Sequence, residues 1–322
     1  MNLILCYTPF QVLLAEKIIE SHPGEDFYGI MIQYGNERNK KYEFYYDKLE
    51  KKCIKSKFLL LENGNKIARL RNYLKVKKLF LPNFDKIFFA NILSPEAYFF
   101  LNYFRNVKIF TFDDGIGSLI DNERYLKFKI SYFKKIFYML LGTDYNPKRV
   151  VESSIKHFTI YKNMENFIGR LEYISLFQHS IKQPLEAENV VSIFIGQPIY
   201  EDIKSKESNN VSIIQDLIKF YNIEYYFPHP RETYFIKDVL YINTELIFED
   251  YFLNEVSRNP NVHYRLYNFL SGAALNLIGI PNVTVISIKP NDLSCFWNDA
   301  YELMKSDRLQ IVNWDALKGK PC

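Results

Sequence analysis

Short apolar runs, each followed by a stretch with helical periodicity, recur along the sequence in two series. The first comprises Leu3 to Cys6, Phe27 to Gln33, Lys57 to Leu61, Lys86 to Ala90 and Val107 to Phe112. The second comprises Val190 to Ile195, Ile223 to Phe227, Val239 to Ile242, Val262 to Tyr267 and Val283 to Ile286. A run that is apolar on both faces suits a strand covered on both sides, and strands alternating with helices make a parallel sheet. The expected fold class is therefore α/β, with two doubly wound, Rossmann-like domains at residues 1–155 and 156–322. A lysine- and aromatic-rich stretch from Asp121 to Tyr173 is expected to be a helical connecting segment. Its Lys127 to Leu141 portion suits an interdomain or dimer-interface helix, or a helix resting on a membrane surface.

Composition narrows the function classes. The 41 Lys+Arg and 37 Asp+Glu leave a net charge of only +4, too small an excess for a dedicated nucleic-acid binder. Only 12 of the 322 residues are glycine, about half the ordinary usage, which argues against a glycine-rich phosphate loop. Cys6, Cys53, Cys295 and Cys322 form no CxxC pair, so neither a zinc cluster nor a disulfide framework is expected. No apolar run approaches the ~20 residues of a membrane span, and a cytoplasmic protein is expected.

In doubly wound domains ligands gather outside the carboxyl ends of the strands, so motifs that follow strands carry the functional argument. Four stand out. Asp113-Asp114-Gly115 follows the run ending at Phe112; an Asp-Gly pair makes an ordinary turn, but adjoining carboxylates exceed what a turn needs. Gly196-Gln197-Pro198 follows Ile195, with Glu201 and Asp202 just beyond, either as helix-starting acids or as functional carboxylates. Pro228-His229-Pro230-Arg231 follows Phe227, and the flanking prolines hold the imidazole on a stiff turn beside a fixed cation. Ser271-Gly272-Ala273-Ala274 offers a hydroxyl and free N–H groups at a helix start, serving as a plain N-cap or as an anion site. None has clear metal-ligand spacing, and metal-independent chemistry without a cofactor is expected.

Asp113-Asp114-Gly115, His229-Pro230-Arg231 and Ser271-Gly272-Ala273-Ala274, in that order, resemble the bacterial lipooligosaccharide sialyltransferase family, glycosyltransferase family 52. The likeness extends through Asn2 to Tyr7, Tyr226 to Tyr234, Phe248 to Tyr251 and Pro281 to Val285, and covers nearly the whole chain. It implies a GT-B-like arrangement and inverting, metal-independent transfer of sialic acid from CMP-sialic acid to a terminal galactose of lipooligosaccharide, with α-2,3 linkage. By that resemblance His229 is the general acid or phosphate-stabilising group, Ser271 and Gly272 hold the phosphate, and Gly196, Gln197, Pro230 and Arg231 line the nucleotide. The base is Asp202 first and Glu201 second, with Asp113 and Asp114 in contention. A homodimer and peripheral contact with the inner membrane are also implied. A relative using another sugar nucleotide, and a non-catalytic nucleotide- or carbohydrate-binding protein of the same fold, are the alternatives.

Overall fold

The computed structural model describes residues 1–79, 81–104, 106–115, 119, 131–144, 146–162, 166, 168–176, 189–201, 207–290, 301 and 309–314. The chain divides into two compact units, Met1–Gln178 and His179–Cys322.

The first unit is built on a seven-stranded sheet of order β3-β2-β1-β4-β5-β6-β7, parallel throughout. Its strands are β1 (Asn2–Cys6), β2 (Phe27–Tyr34), β3 (Lys55–Leu61), β4 (Lys86–Phe89), β5 (Lys108–Phe112), β6 (Ser154–Thr159) and β7 (Leu171–Tyr173). Register places Ile4 opposite both Gly29 and Phe88. Every residue of β1 is buried, as a central strand requires. Helix α1 (Pro9–Glu20) starts as its sequence dictates: Thr8 caps it by accepting the Gln11 N–H at 3.2 Å, and Pro9 occupies the first turn. Helices α2 (Lys40–Lys52), α3 (Lys66–Lys77) and α4 (Pro95–Tyr103) make the next crossovers.

Helices α5 (Tyr132–Leu140) and α6 (Pro147–Ser153) occupy the stretch expected to connect the domains. They lead instead into β6 of the same sheet, so the expected division at 155/156 moves to 178/179. The physical reason is that β6 is a core strand with polar side chains. Ser154, His157 and Thr159 are buried, and the Thr111 hydroxyl lies 3.0 Å from Ser154 Oγ and 2.9 Å from His157 Nδ1. A strand satisfied by hydrogen bonds in place of apolar contacts carries no hydrophobic signature.

The second unit repeats the plan with a six-stranded parallel sheet of order β10-β9-β8-β11-β12-β13. Its strands are β8 (Asn189–Ile195), β9 (Tyr225–Phe227), β10 (Leu240–Tyr241), β11 (Val262–Asn268), β12 (Val283–Lys289) and β13 (Leu309–Asn313). Helices α7 (Glu207–Tyr221), α8 (Phe248–Arg258) and the short α9 (Gly272–Leu275) join them. In both sheets the chain starts at an inner strand, winds outward in one direction, then returns to the other side of that strand. The reversal lies between β1 and β4 in the first sheet and between β8 and β11 in the second, and such switch points are where ligands bind.

Candidate functional site

In the second unit the carboxyl ends of β9, β8 and β11 are neighbours, so the loops after Phe227, Ile195 and Asn268 emerge side by side. Three of the four motifs singled out in the sequence meet there. The Gly196 N–H donates to the Phe227 carbonyl at 2.8 Å, which ties the β8 loop to the β9 loop. Across the switch point, the Leu270 N–H donates to Gln197 Oε1 at 3.1 Å, which ties the β8 loop to the turn carrying Ser271. Gln197 therefore bridges loops and is a structural member of the site. The third turn is held from beneath by Asn268, fully buried, whose Oδ1 accepts the Ser271 N–H at 2.9 Å and the Ser287 hydroxyl at 3.2 Å.

His229 follows β9 between Pro228 and Pro230. Its Nδ1 accepts the backbone N–H of Arg231 at 3.2 Å, so in the neutral ring the proton sits on Nε2. That nitrogen is the one able to donate to a ligand. Ser271 precedes α9, is partly exposed, and its side chain makes no capping hydrogen bond, so the helix start does not claim its hydroxyl. Arg231 is exposed on the same turn.

Beside this turn lies a residue that pattern reading passed over. Glu232 Oε2 accepts the Tyr226 hydroxyl at 2.8 Å, and the Glu232 N–H donates to the His229 carbonyl at 3.0 Å. Burial pushes the Glu232 carboxyl above the ordinary range, against the pull of hydrogen bonds from Tyr226, the His229 backbone and Tyr234. Gly196 gains its meaning here. A Cβ on it would stand 2.6 Å from the Tyr226 hydroxyl and closer still to Glu232 Oε1, so only glycine leaves room for that carboxylate. Another acid on this edge, Glu249 in the first turn of α8, is buried and accepts from Asn276 Nδ2 at 2.9 Å.

The remaining candidates fall elsewhere. Asp202 and the Glu201 side chain lie outside the described residues; the backbone of Glu201 ends a 3-10 turn begun at Ile199. Asp113 and Asp114 belong to the first unit and have separate roles. Asp113 is fully buried; its Oδ1 is 3.0 Å from His157 Nε2 and its Oδ2 accepts the Ile160 N–H at 2.8 Å. A carboxylate with both oxygens engaged and no exposure presents no face to a substrate, so its expected place among the catalytic carboxylates is corrected to that of a residue pinning β6 to β5. Asp114 is partly exposed at the strand end, where its Oδ1 accepts Gln11 Nε2 at 2.6 Å.

The first sheet's switch point also carries polar groups with no strong sequence signal. Glu96, buried in the first turn of α4, accepts hydrogen bonds from the Tyr34 hydroxyl and, at 2.9 Å, from Ser94 Oγ. The Tyr7 hydroxyl just after β1 is buried with no hydrogen-bond partner. The only hint was the Ser-Pro-Glu sequence following the β4 run.

A family model, glycosyltransferase family 52, matches residues 24–292. The chain belongs to glycosyltransferase family 52. It is 33% identical to the N-acetyllactosaminide alpha-2,3-sialyltransferase of Neisseria meningitidis serogroup A / serotype 4A, over 98% of this chain and 86% of that protein. It is equally 33% identical to the CMP-N-acetylneuraminate:beta-galactoside alpha-2,3-sialyltransferase of Pasteurella multocida, over 97% of this chain and 99% of the relative. Among solved structures, LpCGTa in complex with UDP aligns with a TM-score of 0.54 at 8% identity, covering 96% of this chain and 84% of that one. At that identity the likeness speaks to the fold, and it agrees with two Rossmann-like units of the GT-B kind. This family 52 protein is thus a glycosyltransferase, and among its described residues no helix is long and apolar enough to cross a membrane.

Proposed function

We propose that this family 52 protein transfers sialic acid from CMP-sialic acid to a terminal galactose of lipooligosaccharide or a related glycan, forming an α-2,3 linkage with inversion and without a metal ion. The observation that carries this reading is the loop cluster of the second unit, where His229, with Nδ1 accepting the Arg231 N–H, and Ser271, which does not cap its helix, follow the two strands that flank β8. The near full-length similarity to two relatives named as alpha-2,3-sialyltransferases supports it.

The chemistry assigns each part. The galactose hydroxyl loses its proton to a carboxylate, Asp202 first and Glu201 second, as its oxygen attacks the anomeric carbon of sialic acid. The bond from that carbon to the CMP phosphate breaks, and the phosphate oxygen gathers charge. His229 donates from Nε2 to that oxygen, while Ser271 and backbone N–H groups near Gly196 and Gly272 steady the remaining charge. CMP leaves as a phosphate monoester, which these donors can serve without a divalent ion. By the same reading the first unit takes the acceptor, with Asp114, partly exposed at the end of β5, as a hydroxyl-binding group. A homodimer, peripheral inner-membrane contact and a cytoplasmic location belong to the same reading. Tyr132, Phe133, Met139 and Leu140 on α5, all exposed, support a surface contact of that kind.

The test is a donor screen on purified protein with a galactose-terminated acceptor, read by mass spectrometry. Transfer from CMP-sialic acid, reduced roughly 10²–10⁴-fold in His229→Ala, is expected. Transfer from UDP-glucose or UDP-GlcNAc but not CMP-sialic acid would refute the reading.

A further inference from the structure

We propose that Glu232 is a positioning residue for His229: its carboxyl, held by Tyr226, anchors the turn that its own N–H closes on the His229 carbonyl, and so fixes which ring nitrogen, in which place, meets the leaving phosphate. The proposal rests on the reading of His229 as the group that meets that phosphate, and extends it to a residue with no contact of its own to the reacting atoms.

The clamp has three parts. The Glu232 N–H donates to the His229 carbonyl at 3.0 Å, which closes the turn on the histidine. The carboxyl is in turn anchored by the Tyr226 hydroxyl at 2.8 Å. Tyr226 is fully buried in β9, stacked on Phe194 of β8 with ring centroids 5.9 Å apart, and 5.2 Å from the Tyr241 ring. The turn is thereby fastened to the rigid sheet and not to another loop. Prolines on both sides of His229 fix two φ angles but leave the peptide orientations around the histidine open, and Glu232 closes that freedom.

Tautomer choice follows from the same geometry. With the turn closed, the Arg231 N–H points at Nδ1, which must accept, and the proton is left on Nε2. If the turn opens, that N–H no longer selects the tautomer and the ring samples both. The groups facing the Glu232 carboxylate are the hydroxyls of Tyr226, Tyr234 and Tyr241, each held more strongly in its neutral form by burial first and by the carboxylate's charge in addition.

The deciding experiment compares Glu232→Ala and Glu232→Gln with the wild type by steady-state kinetics and by ¹⁵N imidazole NMR, with His229 signals assigned by their loss in His229→Gln. The carboxamide oxygen of the Gln variant can accept the same Tyr226 O–H, so it should keep kcat within about fivefold and keep the Nε2-protonated tautomer. The Ala variant should lose roughly 10–100-fold in kcat, since displacements near 1 Å cost on that order, with KM for CMP-sialic acid within about threefold and with mixed tautomers at His229. A residue that only stabilised the fold would not move the tautomer. If Glu232→Ala does not fold, Tyr226→Phe carries the same test, with a smaller kcat loss and a shift of tautomer in the same direction. Wild-type kcat in the Ala variant, or lost kcat with an unchanged His229 tautomer, overturns the proposal. Absence of sialic acid transfer by the wild type would instead refute the functional reading, and the NMR comparison would still decide whether the clamp exists.

Discussion

Gly196→Ala separates site geometry from stability more cleanly than removing any charged group. Gly196 has no positive φ, so an alanine is tolerated by the backbone and the effect comes from space alone. The backbone cannot retreat, because the Gly196 N–H is held by the Phe227 carbonyl at 2.8 Å. The new methyl would stand 2.6 Å from the Tyr226 hydroxyl and nearer to the Glu232 carboxylate. Tyr226 is stacked and fully buried, whereas the carboxylate ends a flexible side chain, so the carboxylate yields. Its hydrogen bond to Tyr226, of order 1.5–3 kcal/mol for a charged acceptor, is lost, but the carboxylate regains water that burial had denied it. The net loss of stability should be about 1–2 kcal/mol, a drop in melting temperature of roughly 2–8 °C for a unit of this size. The turn carrying His229 is released, however, and kcat should fall about 10–100-fold, equivalent to ~1.4–2.7 kcal/mol in the transition state. Denaturant unfolding and transfer to a galactose-terminated acceptor measure the two effects. The double variant with Glu232→Ala should be no worse than the poorer single variant, because both remove one clamp. Wild-type kcat in Gly196→Ala, or fully additive losses in the double variant, would refute this account.

Two further outcomes follow from the geometry. Asp113→Asn should destabilise the protein by about 2–4 kcal/mol through the buried Asp113–His157 pair, while the folded fraction keeps its kcat; unchanged stability with lost kcat would restore Asp113 to the catalytic set. For Glu232, whose folded carboxyl is raised above its unfolded value, the folded state binds the proton more tightly. The stability from that protonated carboxyl is fully present below the unfolded value of ~4.3 and is lost as pH rises through the raised folded value. Urea midpoints of wild type should therefore fall relative to Glu232→Gln across that window, and parallel curves would contradict the assignment.

The alternation of runs and helices was sufficient to read two parallel sheets, since strands buried on both faces are apolar whatever their neighbours are. The boundary at 155/156 was misplaced because Ser154, His157 and Thr159 meet the demands of burial with hydrogen bonds, and so look like loop residues. β13 was missed for a related reason, its short length and alternating polar positions. His229 was legible because two prolines mark a stiff turn, and Gly196 because it follows a strand. Their connection was not. Glu232 sits next to Arg231 as an ordinary charge pair in sequence, and only the fold shows its carboxylate turned inward on Tyr226 above the glycine. Asp113 and Asp114 read as one motif, yet just past the end of β5 their side chains part, one buried on His157 and the Ile160 N–H and the other partly exposed on Gln11. The Tyr7–Glu96 region brings together residues from separate crossovers, a proximity that strand order alone creates.

A crystal structure of the protein with CMP tests the central claim most directly. The account predicts a phosphate at the carboxyl ends of β8, β9 and β11, about 3 Å from His229 Nε2 and from the Ser271 hydroxyl, with Glu232 still closed over Gly196. CMP bound away from these three loops, or a His229 ring facing the phosphate through Nδ1, would contradict it.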